Sequence, residues 1–233
     1  MPSDSATDSQ ILTHELRVPL GSEEVSALLD MPRTIRAAFV FAHGAGAGMR
    51  HPFMAAVARR LAGHGIATLR FQFPWMENRR DHVDRPEVAH AAVRAAVDTA
   101  ARRLPGVPLF AGGKSFGGRM TSQAQAAKPL PGVRGLVFVG FPLHPPRKPS
   151  IERAEHLVGV QLPMLFVQGT RDPLAELSLV QVALGPIGNR TSLHIADGAD
   201  HGFQLLVRSG RSPDALLDEI CESMASWMAE NAS

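Results

Sequence analysis

Residues 12–19 and 23–31 alternate apolar and polar side chains on either side of Gly21-Ser22. That period of two is the pattern of half-buried strands, and it predicts a hairpin. Downstream the alternation gives way to short unbroken apolar runs separated by stretches of helical period. The runs "AAFVFA" (37–42), "IATLRFQFP" (66–74), "VPLFAG" (107–112), "VRGLVFVGF" (133–141), "PMLFVQG" (163–169) and "TSLHIAD" (191–197) read as strands. Helical patterns fall over residues 51–65, over 85–104, from beyond Ser115 through Lys128, and from about Ser212 to Glu230. Strand, helix and strand in repetition predict an α/β fold, a mostly parallel sheet covered by helices on both faces. Such a sheet places ligands at the carboxyl ends of its strands, so residues just past strand ends are the ones to examine.

No repeat, low-complexity segment or linker divides the chain. Residues 11–233 are therefore expected to form one domain behind a flexible N-terminus, residues 1–10. The longest irregular stretch is 142–160, where Pro142, Pro145, Pro146 and Pro149 crowd the first eight residues. Only "SIERAEHL" (150–157) offers two helical turns, with Ser150 as N-cap, which predicts a minimal cap or none. Composition changes this picture little: 45% apolar and 20% charged residues describe an ordinary globular protein. The pI is near 9.2, but the formal charge is only +2 and the chain has no Tyr, so little titrates between neutrality and the lysines. Lys and Arg are scattered instead of striped along one helix, which argues against a nucleic-acid partner. The opening "MPSDSATDSQ" lacks the basic start and apolar run of a signal peptide, and no apolar stretch reaches membrane-spanning length. A cytoplasmic monomer or homodimer with no membrane partner is the expectation. The one cysteine, Cys221, sits at helical spacing with Leu217, Ile220, Met224 and Trp227 and reads as a packing thiol.

The chemistry concentrates in "FAGGKSFGGRM" (110–120). Gly113-Lys114-Ser115 resembles the end of a phosphate-binding P-loop, but that motif needs a glycine where Pro108 stands, and Leu109, Phe110 and Ala111 look like strand interior. Gly113-Lys114-Ser115-Phe116-Gly117 also fits the nucleophile elbow G-x-S-x-G, a sharp strand-to-helix turn that requires small residues two before and two after the serine. Nothing is missing from that second reading. An acid and a histidine follow in the required order: Asp172 past the strand ending near Gly169, and His201 in the loop after the last strand. Asp197 and Asp200 are the weaker acids. Acyl transfer also needs two N–H donors for the oxyanion. Phe116 supplies one from the elbow, and the loop "AHGAGAGM" (42–49) supplies the other, with Ala45 favoured and Gly46 next. Read as a dinucleotide loop, that glycine-rich segment fails, because Met49 stands where a third glycine belongs.

Together "AHGAGAGMRHPFM", "FQFPWMENRR", "GGKSFGGRM", "GFPLHPP" and "GTRDPL" resemble the α/β-hydrolase superfamily over nearly the whole chain. Within it the motifs look like one subgroup, the dienelactone-hydrolase-like set that includes testis-expressed protein 30 and subunit 3 of the nuclear NSL complex. The resemblance implies an eight-stranded sheet and a Ser-His-Asp triad of Ser115, His201 and Asp172. It implies no particular substrate, since some members are better regarded as complex subunits than as enzymes. The expected activity is cleavage of a small ester, thioester or lactone by a serine hydrolase of carboxylesterase or dienelactone-hydrolase type. It requires no cofactor or metal. A non-catalytic scaffold of the same fold is the alternative. Lys114 and Arg119 beside the nucleophile, and Phe73 and Trp75 past a strand end, are the substrate-binding candidates.

Overall fold

The computed structural model describes residues 11–233, so the expected flexible N-terminus, 1–10, lies outside the described residues. Among the described residues eight strands form one sheet: β1 (Leu12–Leu20), β2 (Glu23–Met31), β3 (Ala37–Ala42), β4 (Ile66–Phe71), β5 (Leu109–Lys114), β6 (Val133–Val139), β7 (Met164–Gly169) and β8 (Thr191–Ala196). Their order is β1-β2-β4-β3-β5-β6-β7-β8. The first hairpin pairs antiparallel, with Leu12 opposite Met31, and β2 joins β4 antiparallel; every later pairing is parallel.

The unbroken apolar runs are explained by two-sided burial. Along β3, Ala38, Val40 and Ala42 pack in one apolar cluster with Val93 and Ala96 of α3 (Pro86–Arg103) and Met120 and Ala124 of α4 (Phe116–Ala127). Phe39 and Phe41, pointing the other way, pack with Met54, Val57 and Leu61 of α1 (Pro52–Gly63) and Ile220 and Met224 of α6 (Pro213–Glu230). No polar position survives on β3 because neither face meets water. Cys221 lies in the second cluster, fully buried, and its burial pushes the thiol up to about 12, which keeps it a packing group.

Three elements depart from the pattern-based reading. β4 stops at Phe71, because Phe73 caps the short helix α2 (Pro74–Glu77) and Pro74 takes its first position, where a missing N–H costs nothing. β5 starts at Leu109 and runs on to Lys114, carrying strand geometry up to the elbow. Helix α5 (Leu177–Leu184) has no counterpart in the sequence reading: "LSLVQVAL" is apolar on nearly every side, which hides its period. The connection 142–160 carries a 3₁₀ helix, Glu152–Gly159, whose N-cap is Ile151 and not the expected Ser150; the Ser150 Oγ still accepts from the Glu152 N–H at 3.1 Å. No helix among the described residues is long and apolar enough to cross a membrane.

Candidate active site

β5 delivers Ser115 to the sheet's carboxyl edge on a backbone that side chains rarely adopt, φ 51° and ψ −115°. Such a conformation persists only where its surroundings enforce it. Here they do so by backbone contact: a Cβ added to Gly113 would fall 2.5 Å from the Ala42 carbonyl oxygen, and one added to Gly117 would fall 2.4 Å from the same atom. The turn is thus wedged against the end of β3, and only glycine at both flanks allows it.

His201 comes from the loop after β8 and Asp172 from the loop after β7. His201 Nε2 lies 2.8 Å from Ser115 Oγ, and His201 Nδ1 lies 2.7 Å from Asp172 Oδ2. The carboxylate can only accept, so Nδ1 carries the proton and Nε2 is left to accept from the serine hydroxyl. Among the described residues the Asp172 carboxylate accepts three hydrogen bonds. Besides the imidazole, the Gln168 side-chain amide donates to Oδ2 at 2.7 Å and the Leu174 N–H donates to Oδ1 at 2.8 Å. The Asp172 side chain is fully buried, while the imidazole keeps some exposure at the site's edge. Asp197 and Asp200 are occupied elsewhere: Thr170 Oγ1 lies 3.4 Å from Asp197, and Asp200 accepts from the N–H groups of Gly202 and Gln204.

The loop after β3 lies against the nucleophile, since a Cβ on Gly44 would stand 3.6 Å from Ser115 Cβ. His43 begins this loop fully buried, and burial pushes its imidazole down to about 4, so the ring is neutral. Nε2 accepts from the Phe73 N–H at 3.1 Å, which leaves Nδ1–H to donate to the Gly44 carbonyl at 2.8 Å. In a trans peptide the C=O and the next N–H point in opposite directions, so this bond turns the Ala45 N–H away from His43. At the far end of the loop, Arg70 donates to the Met49 carbonyl and the Met49 N–H donates to Gln72. Among the described residues the N–H groups of Ala45 and Phe116 meet no backbone or side-chain acceptor.

The four substrate-binding candidates land in different places. Phe73 and Trp75 are buried and stacked on one another at 4.9 Å, and both meet His43 and the edge of Phe116. They pack beneath the glycine loop and the elbow instead of walling an open cleft. Lys114 is neither a surface charge nor free for a substrate, because its ammonium donates to the His201 carbonyl at 2.5 Å. Arg119 is half-buried, with its guanidinium 6.0 Å from the Phe116 ring centre and its Nε without a partner among the described residues. Burial and the Arg153 guanidinium push Arg119 below its ordinary value. The sequence reading did not anticipate Gln168, hidden inside a strand, and it gave the His43 side chain no role of its own within the glycine loop.

The profile of a family described as "Alpha/beta hydrolase domain" matches residues 35–229. A Mycobacterium tuberculosis protein, provisionally named a phosphoribosyl transferase, is 30% identical over 210 residues, which cover 86% of this chain and 44% of that protein. The chain thus spans less than half the length of that relative. Among solved structures, dienelactone hydrolase from Anabaena variabilis superposes with a TM-score of 0.78 at 20% identity, covering 96% of this chain and all of the other. An α/β serine hydrolase without a lid from Xanthomonas campestris gives 0.71 at 19% identity, over 92% and 94% of the two chains. Est1E from Butyrivibrio proteoclasticus gives 0.72 at 17% identity, over 93% and 98%.

Proposed function

This chain belongs to the alpha/beta hydrolase domain family, and from that premise we propose that it is a serine hydrolase acting on a small ester, thioester or lactone. The observation that carries the proposal is the unbroken relay from Ser115 Oγ through His201 to Asp172, at 2.8 and 2.7 Å, with one tautomer allowed. Ser115 Oγ attacks the acyl carbon while His201 Nε2 takes its proton, and Asp172 stabilises the imidazolium that results. The N–H groups of Phe116 and Ala45 hold the oxyanion. Collapse of the tetrahedral intermediate expels the alcohol or thiol, which leaves with the proton from Nε2. Water then repeats the attack on the acyl-serine and frees the acid. The transferase name of the mycobacterial relative belongs to a protein more than twice as long as the matched stretch, and nothing in this relay calls for phosphoribosyl transfer.

Two features narrow the substrate. The 142–160 connection contributes one 3₁₀ helix and no larger cap, so little apolar surface is available to a long acyl chain. Each further methylene is worth about 0.8 kcal/mol only where a wall buries it. Arg119, one turn beyond Ser115, packs its half-buried guanidinium by the Phe116 ring with Nε unpartnered among the described residues, and it is the cation we assign to an acidic substituent. A series of p-nitrophenyl esters tests the reading. The expected result is hydrolysis that is abolished in Ser115→Ala and whose kcat/KM peaks at roughly two to four acyl carbons. Hydrolysis that survives in Ser115→Ala would overturn it, and an inert wild-type protein would favour a binding scaffold.

A further inference from the structure

Lys114, the residue immediately before Ser115, sends its side chain to the Nδ1 side of the His201 imidazole. Its Nζ donates to the His201 backbone carbonyl at 2.5 Å and stands 5.3 Å from the centre of the Phe203 ring. Gly140, at φ +67°, closes the space from the end of β6: a Cβ there would come within 3.0 Å of Lys114 Nζ and 3.6 Å of His201 Nδ1. The site therefore has a built seat for one ammonium group behind the histidine. The charged groups that act on it are the carboxylate of Asp172, from the loop after β7, and the carboxylate of Asp200, which accepts from the Gly202 and Gln204 N–H groups in the loop after β8. From the glycine loop after β3, Gly44 reaches only the stem of Lys114. Esterase chemistry as drawn above does not use this group at all.

Resting on the reading of Ser115 as nucleophile and His201 as base, we propose that Lys114 is a positioning residue of the same site. As an ammonium it clamps the His201 carbonyl and keeps the imidazole within reach of Ser115; on losing its proton it slackens that clamp. A charge-assisted hydrogen bond is roughly twice as strong as a neutral one, so the amine holds the loop less firmly than the ammonium. The proton is also lost within the working range of a hydrolase. The stem is part-exposed but the ammonium is enclosed, and burial pushes it down to about 8 from 10.5, against the pull of Asp172 and Asp200. The consequence is an alkaline limit set by a residue that never touches the substrate: kcat falls as pH rises through about 8, while KM stays level.

Steady-state kinetics with p-nitrophenyl acetate across that range, on wild type, Lys114→Met and Lys114→Arg, tests the proposal. Lys114→Met is expected to lower kcat at neutral pH by on the order of tenfold with KM unchanged, and to lose the limb near 8. Lys114→Arg keeps a charge that does not titrate, so it restores most of kcat and stays active above the wild-type limb. A limb that persists in both variants, or a rise in KM with kcat unchanged, would overturn the proposal, the second by making Lys114 a substrate contact. If the wild-type protein hydrolyses no ester, the functional reading fails but the clamp is still testable. Ring nitrogen NMR of His201 should then show an inflection near pH 8 in wild type that Lys114→Arg removes, and its absence in wild type would refute the clamp.

Discussion

The elbow at Ser115 and the β1–β2 hairpin belong to one sheet but are held by opposite means. At the elbow, backbone presses on backbone: Gly113 and Gly117 lie against the end of β3 with no room for a methyl group, and the serine between them sits at positive φ. At the hairpin, side chains meet in water. Arg17 reaches Glu24 at 2.7 Å and Glu77 at 2.8 Å, with about half of the Arg17 and Glu24 side chains exposed. The hairpin edge can trade residues because solvent screens its charges. The elbow cannot, because its geometry is what aims the nucleophile. Specificity of sequence is thus spent where a strained turn has to be kept, not where contacts are most numerous.

The comparison is broken most severely by removing the reacting groups. Replacing Ser115 or His201 by Ala should lower kcat by on the order of a thousandfold or more, and the double variant should be little worse than either single one. Asp172→Asn should cost less than either. If Asp172→Asn were silent while Asp200→Asn was not, the wrong acid would have been assigned.

Next in size is Gly117→Ala, whose methyl group would meet the Ala42 and His43 carbonyl oxygens at 2.4 and 2.6 Å. Overpacking against rigid backbone predicts a loss of about 3 kcal/mol or more in urea unfolding, together with a displaced glycine loop and lost activity. Stability unchanged within error would show that the wedge between β3 and β5 is softer than described.

Acid exposes the site region in a third way. Burial holds His43 at about 4 against an ordinary 6.5, and burial with the nearby Arg119 does the same for His156. Both rings are neutral in the fold, and the unfolded chain takes up their protons first. Their contribution is therefore complete above about 6.5 and is lost as pH falls toward about 4, on the order of 3 kcal/mol for His43 alone. Urea midpoints measured from neutral pH downward should fall through that window, and His43→Gln should flatten the fall. Arg17→Ala at the hairpin is the smallest change, leaving the urea midpoint nearly where it was and kcat unaffected.

The same contrast explains what could be read from the chain. The elbow was legible because a strained turn restricts its neighbours to glycine, and sequence preserves that restriction. The strands were legible because two-sided burial removes polar residues, as on β3. Asp172 and His201 could be picked out because both follow strand ends. What escaped was direction. Lys114 reads as a substrate contact until its ammonium is seen on the His201 carbonyl, and Phe73 and Trp75 read the same way until they are seen buried and stacked on one another. Gln168 escaped because a single amide in "MLFVQG" looks like the last residue of a strand, while it in fact bridges Asp172 and the Phe141 N–H. Helix α5 escaped because an apolar octapeptide carries no period.

The central claim, that Ser115 is an activated nucleophile, is tested most directly by a fluorophosphonate probe followed by peptide mass mapping. The relay predicts one adduct, on Ser115, formed far more slowly in His201→Ala and absent in Ser115→Ala. Labelling of another residue, or none in the wild-type protein under conditions where Ser115 is exposed to the probe, would contradict it.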